Sequence, residues 1–168
     1  MAQTFEPIQT ITNTGGAVIT FSNIPQTYTD LIFSCRLQWQ QQHDCHIGIN
    51  GDNASVFGYI HTLTSGGPTN AQRNELRATG GFYANGVWEG QGGELFFHIF
   101  DYTNTSTYKS LLSRSGSVGN NVYSLDMIAS TYTSTNAIST VSFYKSWGDP
   151  PQYTSSVTMY GVTYGTES

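Results

Sequence analysis

Apolar and polar side chains alternate along this chain with a period of two. The pattern is clearest over residues 30–40, where Leu31, Phe33, Cys35, Leu37 and Trp39 fall on one face and Ser34, Arg36 and Gln38 on the other. Successive side chains of an extended strand point to opposite faces, so this segment is predicted to be a strand with one face in a core. A polar bend at Gln40–His43 follows, and Cys45, Ile47 and Ile49 return to the same core on a strand that runs to Asn50. Residues 94–100 differ. Leu95, Phe97 and Ile99 make one face, and Phe96, His98 and Phe100 the other. A strand apolar on both faces is either central or has one face against a partner.

Further strands are expected over residues 5–12, 17–21, 56–63, 109–115, 123–133, 138–147 and 157–163. These runs are rich in β-branched and aromatic residues and end at Gly, Asn, Pro or Ser clusters. Residues 66–93 are Gly-rich and almost aperiodic, with one short strand expected over 76–83. About ten short strands with no helical period between them predict an all-β fold. The expected architecture is an antiparallel two-sheet β-sandwich of jelly-roll type, a single domain over residues 1–168.

Composition narrows the function. Charged residues are 10% and aromatics 14%, which excludes a disordered chain. The net charge of −5 argues against a general nucleic-acid binder and against a polybasic membrane attachment. No apolar run is long enough for a transmembrane helix. The opening MAQTFEPIQT carries neither the charged nor the apolar region of a signal peptide, so synthesis in a cytoplasm is expected. Cys35 and Cys45 would face one core from consecutive strands. A cross-strand disulfide is geometrically conceivable, and a reducing compartment favours two inert thiols.

Catalytic patterns are thin. His43-Asp44-Cys45-His46 is the densest metal-capable run, but strand alternation lets no more than two of its side chains converge, fewer than a zinc site needs. Asp52, Glu94, Asp101 and Asp126 could supply an acid pair for glycoside hydrolysis, yet no local motif singles out two. There is no G-x-S-x-G, P-loop or dinucleotide fingerprint. The expectation is a non-enzymatic protein with no cofactor and no metal. Phe82, Tyr83 and Trp88 stand out instead, as rings in a Gly-rich stretch where no strand period demands them. They either contact a partner or cap one end of the sandwich.

Several short motifs together carry a resemblance. Tyr28-Thr29-Asp30-Leu31 leads into the strand with Arg36, and Asn50-Gly51-Asp52 follows one strand later. Phe97-His98-Ile99-Phe100-Asp101-Tyr102 precedes Thr103-Asn104-Thr105-Ser106 and Lys109–Gly116, and Met159-Tyr160-Gly161-Val162 lies near the end. With the opening Phe5-Glu6-Pro7-Ile8, this order resembles a group of small virion proteins of tailed bacteriophages, common among cyanophages. The group is labelled capsid fibre, decoration or minor structural protein. The resemblance covers nearly the whole chain and departs from the group mainly at residues 66–93. It implies a capsid decoration or cement protein that binds the outer head surface as an oligomer, a homotrimer, and stabilises the shell. Its partners would be itself and the major capsid protein or another virion protein, and its place the virion. Phe5, Ile8, Ile11, Phe82, Tyr83 and Trp88 are the candidate contact residues. The alternatives are a tail or fibre module that binds host surface polysaccharide, with Trp39, Trp88 or Trp147 as stacking faces, and a small depolymerase.

Overall fold

The computed structural model describes residues 4–15, 18–38, 43–51, 57–65, 70–77, 82–87, 93–119, 122–145 and 154–164. Among these residues there are twelve strands: β1 (Thr4–Asn13), β2 (Ile19–Phe21), β3 (Asp30–Leu37), β4 (His43–Ile49), β5 (Phe57–Ser65), β6 (Asn70–Arg77), β7 (Phe82–Val87), β8 (Gly93–Ile99), β9 (Lys109–Gly119), β10 (Val122–Tyr132), β11 (Val141–Lys145) and β12 (Ser155–Thr163). They form two antiparallel sheets. The large one runs β1-β12-β3-β8-β9-β10-β5-β6 and the small one β2-β11-β4-β7.

The sheets pack face to face, as the alternation predicts. Leu31, Phe33, Cys35 and Leu37 of β3 and Leu95, Phe97 and Ile99 of β8 are buried from one side. Ile19 and Phe21 of β2, Ile47 and Ile49 of β4, and Val141 and Phe143 of β11 meet them from the other. Phe33 is the hub: its ring centroid lies 5.4 Å from Phe21 and 5.3 Å from Phe143 across the sheets, and 6.1 Å from Phe97 beside it. Edge-to-face and tilted rings at such spacings add to the transfer free energy of burying them. Cys35 and Cys45 are both buried thiols, unbridged. Burial pushes the Cys35 thiol well above its ordinary value, with Cys45 adding to the effect, which disfavours the thiolate.

Two differences from the sequence reading have physical causes. Residues 66–93 hold two strands rather than one. β6 is rich in polar and charged residues and lies at the edge of the large sheet, where such side chains are favoured and a strand period is hard to see. Phe82 and Tyr83 belong to β7, which pairs with β4 at the edge of the small sheet, and are not loop residues. β4 keeps its alternation, with Cys45, Ile47 and Ile49 in the core. The register shift against β7 between Cys45 and His46 leaves the extra residue, Ala84, in β7.

Candidate functional site

The motif residues converge on one end of the sandwich. Asp30, at the start of β3, is buried. Its Oδ2 accepts hydrogen bonds from His98 Nε2 at 3.0 Å and from the Tyr164 phenol at 2.6 Å, and its Oδ1 accepts the Asp101 N–H at 2.9 Å. Asp101 holds a positive φ of 49°, a conformation that Asp tolerates. One carboxylate thus ties together the start of β3, the end of β8 and the chain beyond β12. The bond to Asp30 and partial burial push the Tyr164 phenol up to about 12. His98 stacks on Phe100, with centroids 3.7 Å apart.

Beside this clasp the Tyr28 ring lies flat against Gly161 of β12. A Cβ at Gly161 would come within 2.4 Å of that ring, so only glycine fits. Tyr102, fully buried, donates its phenol proton to the Pro25 carbonyl, and its own carbonyl accepts the Ile138 N–H. Lys109 Nζ donates to the carbonyls of Thr107, Ser134 and Thr135. Asn50, in a turn with Gly51 where both residues have positive φ, accepts the N–H groups of Ser139 and Thr140 and donates to the Ala137 carbonyl. The side chains that carry the resemblance therefore knit loops. An Asp–His pair can orient a general base, but here its bonds go to groups that it holds in place.

The outward face of the large sheet is of another kind. In β10, Leu125 and Met127 point outward and are 61% and 54% exposed, whereas Asp126 and Ser130 point inward and are buried. In β9, Ser113 and Ser115 are buried, and Leu112 lies outside with Arg114. The Oγ atoms of Ser113, Ser115 and Ser130 have no hydrogen-bond partner among the described residues. This hairpin thus places buried hydroxyls inside, beside the core residues Leu111, Ile128 and Tyr132, and leaves Leu125 and Met127 outside. On β8, Phe96 is 40% exposed, and the Arg114 guanidinium sits 5.0 Å from its ring centroid, a cation–π distance. A shallow depression of about 340 Å³ lies alongside, lined by Ser34, Cys35, Arg36, Glu94, Phe96, Ser156 and Thr158.

The candidate contact residues are not brought into one place. Phe5 is 54% exposed on β1, an edge strand of the large sheet. Ile8 and Ile11 are half-buried and pack on the core. The backbone of Phe82 and Tyr83 lies at the opposite edge of the small sheet from β2, and Trp88 falls outside the described residues, as do Trp39 and Trp147. Of the possible acids, Asp52 is likewise outside. Among the described residues no group of three His, Cys, Asp or Glu could hold a metal ion. Sequence reasoning missed Leu125 and Met127. The sequence carried no signal for their exposure, since Leu125, Met127 and Ala129 alternate with Asp126 and Ser130 as the core face of a strand would. No protein-family model matches the chain, and neither a curated protein nor a solved structure matches it.

Proposed function

We propose that this is a non-enzymatic structural protein of a phage virion, a capsid decoration or cement protein that binds the outer head surface as an oligomer and stabilises the shell. The observation that carries the reading is the exposure of Leu125 and Met127 of β10 on the outward face of the large sheet. A large apolar patch left outside marks a surface meant to be covered. The strand order supports it. Without the hairpins β5–β6 and β9–β10, the sheets read β1-β12-β3-β8 and β2-β11-β4-β7. That order is consistent with a jelly roll carrying two inserted hairpins, an architecture used by viral capsid domains. Fold alone does not assign function, so the reading leans on the resemblance and on the uncovered face together.

Contact with the head is assigned to β1, whose outer edge and exposed Phe5 are open to a partner strand or surface. Added to tailed-phage heads that lack it, the protein should co-sediment saturably, and Phe5→Ser should weaken that binding at least about tenfold with the fold intact. Binding to loose shell subunits alone, or none, would count against the cement role. The depression beside Phe96, with its hydroxyls, Arg36 and Glu94, favours a second reading, a tail or fibre module that binds host polysaccharide. A glycan array decides that reading: hits that Phe96→Ala abolishes would support it, and a blank array would remove it.

A further inference from the structure

The outward face of the large sheet divides along the seam between β3 and β8. Two rows of side chains cross it in strict register. One runs Thr10, Thr158, Ser34, Phe96, Arg114, Met127, and the other Thr12, Ser156, Arg36, Glu94, Gly116, Leu125. In the first row the three positions before the seam carry small hydroxyl side chains and the three after it bulky ones. In the second row Arg36 and Glu94 stand directly opposite each other across the seam. No ion pair joins them among the described residues.

We propose that this face is where two copies of the chain meet, related by a twofold axis that runs along the seam. The inference rests on the reading of this face as an assembly surface. A half turn about an axis parallel to the strands keeps every residue on its own row and exchanges the two sides. Phe96 of each copy then comes over Ser34 of the other, where the depression lies. Met127 comes over Thr10, Leu125 over Thr12, and Arg114 over the Thr158 hydroxyl. Arg36 of each copy meets Glu94 of the other, so both charges gain a partner that they lack among the described residues of one chain.

Shape and charge are thus complementary to the same surface on a second copy, which is the requirement of an isologous contact. Sheets packed face to face lie about 10 Å apart, within reach of facing arginine and glutamate side chains. Charge also selects this face. Two chains of net charge −5 repel, and this patch places Arg36 and Arg114 against Glu94 alone. The twofold contact makes the number of chains even: two, or six where threefold closure is added.

The test is a charge exchange read by light scattering. The wild-type protein should have the mass of an even number of chains. Arg36→Glu and Glu94→Arg should each weaken the twofold contact at least about tenfold, because each places like charges opposite twice. Mixing the two variants should restore an assembly of near wild-type affinity, because the mixed pair again sets Arg against Glu at both points. Both positions are exposed, so circular dichroism should show the same fold in each variant. A wild-type monomer or trimer, reversals that leave the mass unchanged, or a mixture that stays dissociated would each overturn the inference. Binding to heads is scored separately: its loss with the even-numbered assembly intact would fault the virion role and leave this contact standing.

Discussion

At the scale of single residues, the densest information lies at Asp30. Three donors from two distant parts of the chain end on one buried carboxyl group. Asp30→Ala should cost about 2–4 kcal/mol in urea unfolding, since it strips bonds to a charged group and leaves the Asp101 N–H unmatched. Tyr164 gives the pH signature. Its folded value of about 12 exceeds the ordinary phenol value of 10.0. The folded state therefore holds this proton more tightly than the unfolded chain. The stability due to this bond is fully present below pH 10 and is lost as pH rises from there through about 12. In unfolding curves taken at rising alkaline pH, Tyr164→Phe should flatten the fall, and an unchanged slope would contradict the assignment. None of this pairing was legible in sequence, because the partners lie 68 and 134 residues from Asp30. What sequence showed was that Tyr28, Asp30, His98 and Gly161 sit in motifs. It did not show that the motifs are one clasp.

At the scale of elements, the strands with a core on one face were readable because burial imposes the period of two. β3 follows it through Leu31, Phe33, Cys35 and Leu37, and β8, apolar on both faces, is indeed internal to the large sheet. The same logic failed at β6, an edge strand rich in polar and charged residues whose sequence shows no apolar period. β12 shows a further constraint. Gly161 pairs with Leu31 on one side and Glu6 on the other, and the Tyr28 ring takes the space of its missing side chain. A ring laid over a strand glycine packs the surface that glycine leaves bare. Gly161→Ala should drive the ring off and cost about 1–3 kcal/mol, the usual range for overpacking. Thermal unfolding checks it, and Gly161→Ala combined with Tyr28→Ala should recover part of the loss.

At the scale of the whole molecule, the eight-stranded sheet has two unlike faces. One is spent on the core with the small sheet. The other exposes Phe96, Leu125 and Met127 among hydroxyls and few charges. Hydroxyl and aromatic side chains lose less conformational freedom on contact than lysine or glutamate, which suits broad weak interfaces that act together. Assembly is the property proposed for this surface, and attachment to a phage head is the role proposed for the protein. The most direct test of that role is sedimentation of the purified protein with undecorated tailed-phage heads. The account predicts saturable binding to intact shells, little binding to loose subunits, and shells that survive heating better once decorated. Protein that stays in the supernatant at every concentration, with shells no more resistant to heat, would contradict it.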